Sequence, residues 1–357
     1  MSEMQSLLTD TVTRLFTDRV TKDLIEAAEQ RVWPERLWQA LEEAGLTLPL
    51  VPEPSGGAGL TWEDAHVIVR IAGSHTAPVP LAETIVAGWL LARAGIEVPL
   101  GPLTLAPVHP GERLELTRDG NTWRLSGRVT RVPWGAVASH VVAVTDVGGR
   151  SANGEGRSMV ALVTAGGAQV TPDRNLALEP RDTLVFDAAP AVAATASGVS
   201  TDALQIYGAL VRSAQMAGAL DRILQESVRY VGERRQFGRA IGSFQAIQHS
   251  LAVLAGHVAA GGIAAEHAFR AADRGHPAFE VAAAKIRTGE AAGIGAGIAH
   301  QVHGAIGFTY EHSLHFATRR LWSWRAEFGS ESRWAAELGR SVTARGADAL
   351  WPDLTAR

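Results

Sequence analysis

Apolar positions change their spacing twice along the chain. Over residues 1–99 they recur mostly at helical intervals. Met1 to Ile25 mixes apolar residues with Asp and Arg at that spacing and predicts one amphipathic helix. Leu37, Leu41 and Ala44 mark the apolar face of another, which Gly45 should stop. The loop Pro52-Glu53-Pro54-Ser55-Gly56-Gly57-Ala58-Gly59 follows, and Thr61 is placed to cap a helix carrying Val67, Ile68 and Ile71. Over 100–198 the pattern turns strand-like. Trp123 to Gly127 alternates, and Val141 to Val144, Met159 to Val163 and Leu184 to Phe186 are short β-rich runs, with a Gly/Ser/Asn loop between 148 and 158. Short strands separated by turns predict a small barrel or sandwich. Over 199–357 the period is helical again. Thr201-Asp202 supplies a cap, and Leu204, Val211, Leu220, Ile223, Leu224 and Val228 run along a long helix toward Tyr230. Further helices are predicted over about 244–274, 278–302 and 313–340, joined by short turns into a four-helix bundle. The third is rich in Ala and Gly, which lets helix axes approach closely.

Composition narrows the chemistry. The 357 residues carry a net charge of −4, and mean hydropathy is near zero. With no Cys, disulfides, thiolate metal sites and Cys nucleophiles are excluded. No basic patch favours nucleic acid. No apolar run approaches about 18 residues, so no membrane span is expected, and the N-terminus lacks the layout of a signal peptide. A cytoplasmic protein is the expectation. Ten Trp stand against three Tyr, several late in the chain as Trp322, Trp324 and Trp334, where core or interface roles are the default. The twelve His form no metal set. His300 and His303 lie three apart with no carboxylate at ligand spacing. The Gly-rich loop at 55–59 is no phosphate loop, because no Lys-Ser/Thr follows.

Two segments are more specific. The first is Glu233-Arg234-Arg235-Gln236-Phe237-Gly238, with Ile241-Gly242-Ser243-Phe244-Gln245-Ala246-Ile247-Gln248 after it. The second is Gln301-Val302-His303-Gly304-Ala305-Ile306-Gly307-Phe308, followed by Glu311. Alone, an Arg pair after a helix is a solvated C-terminus and a Gly-x-x-Gly stretch is a turn. Together, at this separation on a helical bundle, they resemble the acyl-CoA dehydrogenases. The resemblance extends over nearly the whole chain and implies an α+β fold: an N-terminal helical domain, a middle β domain and a C-terminal four-helix bundle. It also implies FAD. An Arg guanidinium makes forked, charge-assisted hydrogen bonds to pyrophosphate oxygens. By resemblance Arg234 does this, Gln236 adds a polar contact and Phe237 packs beside the cofactor. Phe244 and Gln245 match another cofactor-contacting pair. Gln301, Val302, His303, Gly304 and Ala305 match a backbone stretch along the dinucleotide, where Gly304 permits close approach and Ala305 replaces a usual second Gly. In the family these groups reach across a subunit interface, so an oligomer is implied.

The pattern fails where the chemistry should be. The family removes the α-proton of an acyl-CoA thioester with a carboxylate and passes the β-hydrogen to the flavin as hydride. The usual base position, in Ala326-Glu327-Phe328-Gly329, falls on Phe328. The alternative, on the first bundle helix, falls on Gly208, and Ala209 replaces the Arg that normally follows it. Neither can take a proton. Glu327 is one residue off, which on a continuous helix is about 100° of turn. Its bland reading is a Glu near a helix end. The stretch Leu103 to Gly111 replaces a Thr/Ser-rich loop that touches the flavin ring, and Gly127 to Gly135 puts Arg131 and Pro133 where an aromatic residue and a hydroxyl are usual. Arg319 matches an Arg common in the family, with a structural ion pair as its default role. The asymmetry resembles certain actinobacterial family members, several acting on steroid side chains, that assemble as heterotetramers of two unlike subunits. There one subunit carries the base and the other, degenerate, completes a shared FAD site. Arg320-Leu321-Trp322-Ser323-Trp324-Arg325 fits the degenerate kind. The expected partners are an acyl-CoA substrate, a catalytic subunit and electron-transferring flavoprotein as acceptor. A self-sufficient homo-oligomer using Glu327 or another, unrecognised base, and a scaffold that keeps the fold without flavin, are the alternatives.

Overall fold

A computed structural model describes residues 3–146 and 158–355, so the loop expected at 148–158 lies almost wholly outside the described residues. The first part is helical: α1 (Glu3–Arg19), α2 (Lys22–Glu29), α3 (Glu35–Glu43), α4 (Trp62–Ser74) and α5 (Leu81–Arg93). The single helix expected from Met1 to Ile25 is therefore two. Thr21 turns extended at φ −93°, ψ 165°, and its side chain accepts a hydrogen bond from the Leu24 amide at 3.2 Å. A local N-cap overrides the continuing apolar period. In α3, Leu37 and Leu41 are buried, but Ala44 is exposed at the helix end and Trp38 takes the third place on the face. Gly45 ends that helix at φ 68°. Thr61 caps α4 in a reciprocal capping box with Asp64.

The middle of the chain forms one seven-stranded sheet: β1 (Leu103–Leu105), β2 (Arg113–Asp119), β3 (Thr122–Pro133), β4 (His140–Asp146), β5 (Ser158–Thr164), β6 (Ala168–Thr171) and β7 (Arg181–Thr195). Its order is β1-β4-β5-β7-β3-β2, with β6 paired to β7. Only β1–β4 is parallel. The sheet curls until its edges meet. The Thr104 hydroxyl of β1 donates to the Pro133 carbonyl of β3, and the Thr145 hydroxyl of β4 donates to the Leu114 carbonyl of β2 at 3.0 Å. The two-residue period sorts β4 between two cores. Val141 and Ala143 face the interior of the curled sheet with Leu125, Val129, Leu184 and Phe186, while Val142 and Val144 join the helical core with Leu103 and Leu105.

The helices α6 (Ala203–Glu233), α7 (Gln245–Asp273), α8 (Ala278–His303) and α9 (Leu314–Ala326) form the bundle, with Leu220, Ile223, Leu254, Ala291, Leu321 and Trp324 in its core. Asp202 holds the N-cap place of α6 without a capping bond, because its carboxylate accepts from the Ser200 hydroxyl. The helix expected over 313–340 breaks. It stops at Ala326, and α10 (Glu331–Arg345) and α11 (Ala347–Thr355) follow. The break is left-handed at Phe328 (φ 51°) and Gly329 (φ 96°), and the Ser330 side chain caps α10. By length and composition α7 is apolar enough to cross a membrane, although it holds no unbroken apolar run of that length, and 22% of its apolar window is buried. It packs against α6 and α8 as a member of the bundle.

Candidate functional site

Where α9 ends, the bundle meets the sheet. Glu327 is the C-cap of α9, and its carboxylate is clamped from two sides. Arg181, the first residue of β7, donates Nε to Oε1 at 2.7 Å and Nη2 to Oε2 at 3.0 Å. Arg212, from the middle of α6, donates Nε to Oε2 at 2.7 Å. Both guanidiniums are almost wholly buried and shared: Arg212 also pairs with Glu83 of α5, and Arg181 with Glu179 at 2.9 Å. Arg320 and the Trp324 indole donate to Glu179 in turn, at 3.1 and 2.9 Å. Burial alone would raise the Glu327 carboxyl, but Arg181 and then Arg212 outweigh it and hold it down to about 2. Such a group is an anion at any working pH and a poor proton acceptor. Glu327 does stand at a helix end, as its bland reading had it.

The two usual base positions touch each other. Phe328 is buried, and a Cβ built on Gly208 would stand 2.2 Å from its ring. The ring fills the space that a side chain on α6 would need. Beside it is a cleft of about 290 Å³ lined by His109, Arg131, Pro133, Trp322, Glu327 and Phe328 among others. The structure thus gathers most of the positions that depart from the family pattern onto one cleft. Pro133 has no N–H to offer, and its carbonyl is already taken by Thr104.

The other candidate residues lie elsewhere, at one end of the bundle, where α6 and α8 finish and α7 begins. Arg234 is the C-cap of α6, exposed, and its guanidinium has no partner among the described residues. Arg235–Gln236 and Arg239–Ala240 then pair as a tiny hairpin, β8 and β9. Its turn, Phe237-Gly238, has φ 51° and 81°, the left-handed pair of a type I′ turn, a geometry that favours Asn and Gly. Phe237 is 89% exposed on this strained turn and meets Phe244 edge-on at 6.1 Å, while Arg239 lies 4.1 Å over the Phe244 ring. Gln245 opens α7, whose first turn has no side-chain cap, so amide donors stand at the positive end of a 29-residue helix. The end of α8 is alongside, since His303 stacks on Tyr230 of α6 at 4.5 Å. Gln301, Gly304 and Ala305 are exposed, and Gly304 takes φ 63°, ψ −145°, which an L side chain resists. Val302 and His303 point inward. The His303 Nδ1–H donates to the Ala299 carbonyl at 2.7 Å. This end fits a bound pyrophosphate: an unpaired guanidinium, open helix amides and a Gly-permitted approach.

The remaining singled-out residues have structural partners. His300 pairs with the Thr318 hydroxyl at 2.9 Å and stacks between Phe308 and Trp322, and Arg319 pairs with Glu29 at 2.6 Å. Trp324 and Trp334 are buried, and the Trp334 indole donates to the Phe328 carbonyl at 2.9 Å. Among the described residues no group of three or more His, Asp or Glu could hold a metal ion. Sequence reasoning missed Arg181, Arg212, Glu179 and Lys285. Arg181, Arg212 and Lys285 are charged residues in otherwise ordinary helix or strand contexts and Glu179 lies in the loop before β7, and only the fold brings their partners to them.

Helices flank a curled sheet, a cleft opens where the sheet meets the bundle, and an exposed arginine stands beside an uncapped helix start at the bundle's end. Comparison with known proteins gives this architecture its family. Residues 2–98 match the model of the acyl-CoA dehydrogenase N-terminal domain and residues 194–341 that of the acyl-CoA dehydrogenase C-terminal domain. Acyl-CoA dehydrogenase IpdE2 of Mycobacterium tuberculosis (strain ATCC 25618 / H37Rv) is 30% identical over 324 residues, 89% of this chain and 91% of that protein. Among solved structures, a chain of the ChsE4-ChsE5 complex from Mycobacterium tuberculosis is 26% identical with a TM-score of 0.85, over 95% of this chain and 97% of that one. A variant of the Tcur3481-Tcur3483 steroid ACAD is 27% identical, also at 0.85, over 97% and 99%. The chain belongs to the acyl-CoA dehydrogenase family, an oxidoreductase family.

Proposed function

We propose that the chain is the non-catalytic subunit of a two-component, FAD-dependent acyl-CoA dehydrogenase, and that it completes the flavin site of a catalytic partner. The observation that carries this reading is the contact between Phe328 and Gly208. The two places that could hold a base hold a ring and the gap it fills. Glu327 does not replace them, because both its oxygens are engaged by buried guanidiniums. At the other end of the bundle, Arg234, Gln236, Phe237, Phe244, Gln245 and the 301–305 backbone would grip the phosphate end of a FAD whose ring lies in the partner. Bound FAD supplies the hydride acceptor for dehydrogenation of an acyl-CoA thioester. This chain's residues supply charge neutralisation and exclude water. The similarity to the ChsE4-ChsE5 complex and to a steroid ACAD supports a two-chain assembly and a bulky, lipid-derived acyl group. Electron-transferring flavoprotein is the acceptor the family resemblance implies.

The test is flavin stoichiometry by absorbance beside subunit mass. Expressed alone, the chain carries little or no FAD and oxidises no acyl-CoA. Co-expressed with its partner, it yields a yellow, active complex with about one FAD per pair of unlike subunits. A yellow, active homo-oligomer with one FAD per chain overturns the reading. A colourless complex points to a scaffold instead.

A further inference from the structure

The left-handed Phe328 is held from outside: the Trp334 indole takes its carbonyl, and one further side chain bridges the residues on both sides of it. Lys285 of α8 is fully buried, and its Nζ donates to three main-chain carbonyls: Trp324 at 3.2 Å, Arg325 at 2.7 Å and Gly329 at 2.8 Å. Two of these lie at the negative end of α9, where the Trp324 carbonyl also accepts from the Glu327 amide at 3.2 Å; the third lies beyond the break. An ammonium has three N–H donors, one for each carbonyl. We propose that Lys285 is a positioning residue, a protonation-dependent clamp whose charged form ends α9 at Ala326 and holds Phe328 against Gly208.

The match of donors to acceptors makes the clamp sensitive to charge. A neutral amine keeps two N–H groups for three carbonyls and turns a lone pair toward one of them. The charged groups that act on Lys285 come from α6, α9, the connector after α9 and α10. Burial, the largest influence, disfavours the ammonium; Glu327 of the connector and Glu331 of α10 favour it, and Arg212 of α6 and Arg325 of α9 oppose it. The balance brings Lys285 down to about 7, so its state changes within the range where proteins work.

The clamp belongs to this chain alone, so its test needs neither partner nor flavin. Hydrogen exchange of the 324–334 segment in the full chain, normalised to unstructured-peptide rates, is compared at pH 6 and pH 9, with β4 as internal reference. Protection should fall at least about tenfold between the two pH values in the wild type, the loss of one charge-assisted bond. Lys285→Met should be loose at both pH values. Wild-type protection that tracks β4 from pH 6 to 9 overturns the proposal. So does a folded Lys285→Met chain as protected at pH 6 as the wild type. If that variant does not fold, the wild-type pH series still decides.

Discussion

The two ends of the candidate site contrast in how their charges are kept. In the cleft between sheet and bundle every charge on Glu327, Arg181 and Arg212 is spent inside the protein, and the space a side chain at Gly208 would need is filled by the Phe328 ring. At the far end of the bundle the Arg234 guanidinium has no partner among the described residues, the first turn of α7 has no side-chain cap and Phe237 stands in solvent. Saturated charge is what a structural core needs, because an unpaired buried ion is costly. Unsaturated charge at a surface is what a ligand or a partner needs.

Five substitutions break or sharpen this contrast. Glu327→Ala should have the largest effect, leaving two buried guanidiniums with too little negative charge and costing about 3–5 kcal/mol in denaturant unfolding. The same clamp gives a pH signature. The folded carboxyl is depressed to about 2 from 4.5, so its stabilisation is complete above about pH 4.5 and is lost as pH falls through 2. The amount at stake is about 3 kcal/mol. Arg234→Ala should leave stability unchanged and weaken FAD retention by the assembled complex about ten- to hundredfold; unchanged affinity would remove Arg234 from the site. Gly208→Ala should cost about 1–3 kcal/mol by overpacking against Phe328, and pairing it with Phe328→Ala should recover part of that, read as a coupling energy. Glu327→Gln, isolated as folded complex, should keep turnover within about threefold, because removing a true base costs about 10²–10⁴ in rate. A hundredfold loss with FAD still bound would make Glu327 catalytic after all.

The family and the general architecture were legible in the sequence because both rest on local signals: apolar periods of two kinds and two short motifs. The break after α9 was not. Ala326-Glu327-Phe328-Gly329 reads as a helix running through one Gly, and what ends it is a Lys some forty residues earlier in the chain. The turn-angle argument about Glu327 assumed a continuous helix and fails for the same reason, since the residue sits at an extended cap. Its partners Arg181 and Arg212 are 146 and 115 residues away, a pairing no local pattern encodes. At the α1–α2 junction the error ran the other way: a cap residue was present in the sequence and was overruled by periodicity.

The hairpin at Phe237 shows what a designer selecting only for thermal stability would do to this molecule. Asn or Gly would relax a left-handed turn position that a Phe backbone resists, and either would take an aromatic ring out of water. Such a chain would fold somewhat better and resist heat longer. It would also lose the ring that meets Phe244 edge-on. On the proposed function, consensus-style improvement of this protein should skip residue 237, where robustness would be traded for a cofactor contact.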